Sequence, residues 1–334
     1  MYYRLSLLLL ALVTPLTARA ADAPVLNVYT HPSFAADWGP GPAVKQAFEA
    51  QCGCTLAYTV LDSGGDILQR LRLEGESTNA DVVLGLDTAT METARQTGLI
   101  GKHDQALDAL ALPIGWTDKY FVPYDWGYFA FVYDTEQLAE PPTSLEALIN
   151  APEDLKIIIQ DPRTSTPGLG LLLWMHSVYG DEAPAKWQAL STKILATTQS
   201  WSDGYFSLFM NGEAPMILSY STSPAYHMAV DETDRYQAVE FEEGHYLQVE
   251  VAALVAPSDN KLLARDFLDF MLTPDFQRHI PLKNVMYPAI DLGDELPEVF
   301  DRLITPDHAF YMPPSEVAGM RRKLVDDWLN ALTR

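Results

Sequence analysis

From residue 26 onward, short apolar runs alternate with amphipathic stretches, and Gly, Pro, Ser and Asp punctuate them. Leu26-Asn27-Val28-Tyr29-Thr30 reads as a strand, and Pro40 and Pro42 lead into a helical pattern over 43–51. A second strand is expected over 56–61, then the polar turn Asp62-Ser63-Gly64-Gly65, then a helix whose apolar side is Ile67, Leu68, Leu71 and Leu73. Gly75 closes that helix and a third strand follows over 81–86. This β-α-β alternation predicts a parallel sheet covered by helices.

The middle of the chain repeats the pattern. Strands are expected over 129–133 and 157–159, and Ser144 caps a short helix between them. The segment Asp161-Pro162-Arg163-Thr164-Ser165-Thr166-Pro167-Gly168 opens a very apolar helix over 169–178. Helices over 184–195 and after Trp201 precede a strand over 216–220, which runs into Ser221-Thr222-Ser223-Pro224 and another helix start. A return strand over 246–255, an amphipathic helix over 261–272 and a terminal helix over 315–332 complete the pattern. With no repeat and no long linker, two interleaved α/β lobes crossed more than once by the chain are expected.

The chain start changes the picture. Arg4 precedes the apolar run 5–12, interrupted only by Ser6; Pro15 and Ala18-Arg19-Ala20 follow. These are the parts of a cleavable export signal over 1–20, with Ala21 beginning the mature chain. The run is far shorter than the ~20 residues that span a bilayer. No cysteine stands at the cleavage point, so a lipid anchor is not expected. A location outside the cytoplasm follows as the expectation. The formal charge of −23 argues against nucleic acid and favours a cationic ligand. Cys52 and Cys54, the two cysteines, flank Gly53 and can pair in an oxidising compartment, whereas two thiols with no nearby His make a poor metal site.

The chemistry gathers at three turns, Asp62 to Gly65, Ser165 to Gly168 and Ser221 to Pro224, each placed between a strand and a helix. In open α/β sheets, ligands bind beyond the carboxyl ends of strands, where helix N-termini offer free N–H groups. Aromatic residues surround these turns: Trp38, Trp201, Tyr205, Tyr220 and Tyr226. Ring faces suit a flat heterocycle and a cation. No Gly-x-Ser-x-Gly, His-Glu-x-x-His or Walker sequence occurs, and His227 and His245 read as structural. A binding protein without cofactor or metal, rather than an enzyme, is the expectation.

Long strings carry a resemblance: 33–42 (SFAADWGPGP), 128–133 (YFAFVY), 161–170 (DPRTSTPGLG), 223–227 (SPAYH) and 243–250 (EGHYLQVE). They closely resemble the periplasmic thiamine-binding proteins of bacterial thiamine importers. The resemblance implies an α/β, two-lobed periplasmic binding protein fold of type II, each lobe a mixed sheet covered by helices. The ligand would lie in the interlobe cleft. It implies a first lobe over 21–125, a second over 126–245, a return to the first over 246–290 and a helical part over 291–334 packing on the second. It also implies a monomer in the periplasm handing thiamine, or thiamine phosphate, to an inner-membrane ABC permease. The family's ligand-contacting positions fall on Trp38, Ser63, Gly64, Ser165, Thr166, Trp201, Tyr220, Ser221, Thr222, Ser223 and Tyr226. Three departures stand out: His31 where members have Tyr, Val285 where they have Trp, and Ser63 where Asp is expected. They leave room for a thiamine precursor or a related cationic heterocycle. Ferric iron, held in related receptors by paired tyrosines, fits poorly because Ser221 follows Tyr220. A thiamine-compound hydrolase lacks a base for Ser165 or Ser221.

Overall fold

The computed structural model describes residues 23–333; the export signal expected over 1–20 lies outside them. Its strands are β1 (Val25–Thr30), β2 (Thr55–Val60), β3 (Val82–Asp87), β4 (Val122–Asp134), β5 (Ile157–Gln160), β6 (Ile194–Thr198), β7 (Met216–Tyr220), β8 (Tyr236–Ala238), β9 (His245–Leu254), β10 (Tyr287–Pro288) and β11 (Ala309–Phe310). The main path runs β2-β1-β3-β9-β4-β7-β5-β6, and the sheet is mixed. β1 runs parallel to β2 and β3, and β5 parallel to β6 and β7; β9 and β4 run antiparallel between these groups. The parallel sheet expected from β-α-β alternation is thus present at each end. The two long strands through the middle make the sheet mixed.

β4 belongs to both ends. Residues 122–128 pair with β9, and residues 129–133 pair with β7. The sequence reading finds only its second part. Pro123 sits where the register to β9 shifts, a place that tolerates a missing N–H, so a proline inside a strand pattern conceals a strand that continues through it. A second difference lies at 184–195. The helix stops at Leu190, and β6 begins at Ile194, an edge strand of alternating exposure rich in β-branched residues. A third follows Trp201, where the expected helix is a π-helix, Asp203–Phe209.

Two buried cores lie on opposite faces of the β1-β3-β9 region. Val82, Leu84, Ala252 and Leu254 join Phe34, Phe48 and Phe267 on one face. Val83, Leu86, Val249, Val251 and Ala253 join Ile67 and Leu71 on the other. A third core packs the helix Thr166–Tyr179 between β5, β7 and the terminal helix Pro314–Leu332, which contributes Val317, Leu324 and Trp328. The helix Thr166–Tyr179 is apolar all round because it is buried all round. Cys52, the last residue of the helix Gly41–Cys52, and Cys54, just before β2, form a disulfide around Gly53, whose φ of 61° ends the helix in the left-handed region. Among the described residues, no helix is long and apolar enough to cross a membrane.

Candidate binding site at the seam

The three turns are at strand ends, as the sequence pattern requires. Ser63 caps the helix Gly64–Glu74: its Oγ accepts from Asp66 N at 3.1 Å and donates to the Asp66 carboxylate at 2.6 Å. Gly64 lies against β3, where a Cβ would come within 2.5 Å of the Gly85 carbonyl. Gly65 faces the second turn: a Cβ there would stand 4.0 Å from the carbonyl oxygens of Arg163 and Thr164. Ser165 is buried at the start of its helix, and Thr166 faces Asp87 at the end of β3. The first and second turns therefore meet across a seam between the two ends of the sheet.

The third turn is more deeply enclosed. Ser221, Thr222 and Ser223 are buried, and Tyr220 is half-buried. The Trp201 indole N–H donates to Ser219 Oγ at 2.8 Å, and Ser219 shares a 2.8 Å hydrogen bond with Ser223, whose Oγ accepts from Tyr220 N at 3.3 Å. Thr222 donates to Met286 Sδ. The Thr222 and Ser223 hydroxyls are thus engaged within the protein, while Ser221 Oγ is buried without a partner. Trp201 stacks on Tyr205 at 4.8 Å, and Tyr205 stacks on His227 and bonds its Nε2 at 2.9 Å. His227 in turn meets Asp231, so it is structural here, as is His245 between the Phe129 carbonyl and the Phe241 amide. Tyr226 is half-buried and edge-on to His227.

Trp38 stands apart from this cluster in the chain but not in space. It is 43% exposed and packs edge-on to Phe206 at 6.0 Å; Phe206, 42% exposed, packs edge-on to Trp201. Two exposed rings touching across the seam bring Trp38 to the same wall. Sequence reasoning missed Phe206. Its signal is a ring next to Tyr205 that the helical pattern does not bury, and the π-helix turns it outward.

Acidic groups lie beneath Tyr220. Glu250 accepts from the Tyr124 hydroxyl at 2.6 Å, and from Asn284 and Gln248 amides. Burial, then the Glu250 charge, holds the adjacent Asp125 carboxyl well above the usual carboxylate range. Burial and the charges of Glu250, Asp87 and Asp125 likewise push the Tyr220 phenol up. Two further carboxylates lie at the turns, and of these Asp62 is exposed. Asp161 is tied to Arg163, whose hydrogen bonds outweigh the effect of burial and hold its carboxyl below the usual range. Glu250 and Gln248 lie in a strand that the sequence pattern announces without marking either residue. His31 is tucked against Gly85, its pKa lowered by burial against the opposing charge of Glu250. Val285 holds φ at 56°, a strained value for a β-branched residue, in the loop that brings Asn284 to Asp125 and Glu250.

A mixed, two-ended sheet with hydroxyl turns and rings meeting at its seam is the frame of a solute receptor, and residues 43–280 match the family of bacterial extracellular solute-binding proteins. The chain belongs to that family, and its fold is the two-lobed type II periplasmic binding fold. It is 51% identical over 318 residues to the thiamine-binding periplasmic protein of Escherichia coli strain K12, covering 95% of this chain and 96% of that one. A solved structure titled periplasmic thiamin binding protein superposes with a TM-score of 0.91 at 50% identity, covering 96% of this chain and all of its own. A ferric binding protein from Campylobacter jejuni superposes at 0.77 with 18% identity over 92% of this chain and 99% of its own, a likeness of fold alone.

Proposed function

We propose that this protein captures thiamine, and thiamine phosphates, in the periplasm and delivers them to the permease of an ABC importer. The observation that carries the reading is identity of about half along nearly the whole chain with proteins named for thiamine binding. The seam supports it. Thiamine joins an aminopyrimidine to a cationic thiazolium; the second turn offers hydroxyls, both the first and second offer backbone N–H groups, and Trp38, Trp201, Tyr220 and Tyr226 offer ring faces. Ser63, Gly64, Ser165 and Thr166 serve the polar ends of the ligand, while Ser221, Thr222 and Ser223 hold the third turn against the aromatic wall. The cavity at the seam between Asp87, Thr166 and Gln248 is about 10 Å³, room for roughly one water. Small-molecule sites span roughly 300–1,000 Å³, so capture requires the two halves to part on β4 and β9 and to close again over the ligand. Export by the signal over 1–20, and action as a monomer, belong to the same reading.

The test is calorimetric titration with thiamine and its monophosphate. Trp201→Ala is expected to cost ~1–3 kcal/mol of binding, the scale of a buried aromatic contact. Unchanged affinity would remove Trp201 from the site, and a wild-type protein that ignores thiamine would refute the function. A precursor ligand remains the second reading, favoured by one observation: half-buried Val285 supplies less stacking surface than an indole there.

A further inference from the structure

Strands β3, β9 and β4 carry Asp87, Glu250 and Asp125 side by side. Asp87 pairs in register with Glu250, and Asp125 pairs with Glu250 from the other side. Asp125 is fully buried, Asp87 nearly so, and Glu250 is half-buried. Among the described residues none of the three is ion-paired within the distance of a salt bridge. Arg321 of the terminal helix acts on Asp87 only at longer range. The Oδ1 of Asp125 lacks a hydrogen-bond donor. Burial, then the neighbouring Glu250 charge, holds the Asp125 carboxyl well above the usual carboxylate range, so Asp125 keeps its proton beside the Glu250 carboxylate. Tyr124, Asn284 and Gln248 all donate to that carboxylate, which fixes it in place.

A second observation points to a ligand. Gln248 is 2% exposed, gives its amide N–H to Glu250, and leaves its Oε1 without a partner where it lines the seam with Asp87 and Thr166. A desolvated acceptor without a donor is costly to keep, and an N–H from a bound ligand would relieve it.

We infer that Glu250, backed by Asp125 and Asp87, is the counter-charge against which a cationic nitrogen heterocycle seats, with the Gln248 carbonyl oxygen accepting a ligand N–H. The proposal rests on the thiamine reading above and assigns the choice of charge within it. An organic cation suits the place better than a metal ion. Among the described residues no three His, Cys, Asp or Glu side chains converge as ligands, whereas Tyr220, within range of the charges of Glu250, Asp87 and Asp125, brings an aromatic ring to their neighbourhood.

The experiment compares thiamine with 3-deazathiamine, in which a neutral thiophene replaces the thiazolium and the rest of the molecule is kept. Titrations follow tryptophan fluorescence, with thermal melts to establish that the variant is folded. The wild type is expected to prefer thiamine by roughly thirtyfold or more, and Glu250→Gln to shrink that preference to about threefold, as removal of one partly desolvated charge requires. Equal wild-type affinity for the two compounds overturns the inference without any variant, so a Glu250→Gln protein that fails to fold does not shield it. A folded Glu250→Gln protein that keeps the wild-type preference also overturns it. A wild type that binds neither compound refutes the thiamine reading itself and takes this one with it.

Discussion

At the scale of single residues, His245 shows how burial sets protonation. Its Nδ1–H donates to the Phe129 carbonyl and its Nε2 accepts the Phe241 N–H, an arrangement only a neutral ring can make. Burial accordingly lowers its pKa from 6.5 to about 4. The unfolded chain takes up this proton first as the pH falls, so the stabilisation is complete above about pH 6.5 and is lost as pH drops toward 4. The loss from this one group is roughly 3 kcal/mol at the acid end. Urea unfolding across that window should therefore show a shallower decline in stability for His245→Asn than for the wild type; parallel curves would show that the imidazole is not responsible. The same residue was legible in the sequence only as structural rather than catalytic. Its partners are backbone groups 116 and four positions away, which no local pattern announces.

At the scale of elements, most strands and helices were legible because their apolar periods match their burial. The alternation in β1 and the spacing of Ile67, Leu68 and Leu71 are of this kind. The failures have physical causes. β6 hides at the end of a helical pattern because an edge strand buries little, and the first half of β4 hides behind Pro123. The helix Thr166–Tyr179 was legible as apolar but not in its contacts. Gly170 lets it lie directly on Phe129, since a Cβ there would fall 2.0 Å from the ring. Phe129 is 2% exposed and its ring is packed against Tyr220 and Tyr246, so Gly170→Ala should cost ~1–3 kcal/mol as overpacking does. Calorimetry should then find the melting temperature lower by about 2–4 °C for each kcal/mol. An unchanged midpoint would mean that the ring and helix separate freely.

At the scale of the whole molecule, the two α/β ends were legible from β-α-β alternation, and the three turns from their strand-helix junctions. Their meeting was not, because it is set by how β4 and β9 carry the chain from one end of the sheet to the other. The acidic row was invisible for the same reason: Asp87, Asp125 and Glu250 are distant in sequence and adjacent only through register. The seam also carries the contact between Trp38 and Phe206. If the halves part as proposed, that pair has to break, so Phe206→Ala should speed thiamine release by roughly three- to tenfold while association changes little. Stopped-flow displacement measures this, and an unchanged release rate would deny the pair any part in closure. The continuity of β4 has a further consequence. A thirteen-residue strand that is hydrogen-bonded first to one neighbour and then to another cannot be divided between two fragments without stripping an edge from each. The two halves are therefore one inheritable unit: neither can be swapped into another receptor by cutting at the seam, and a new specificity has to be grafted turn by turn.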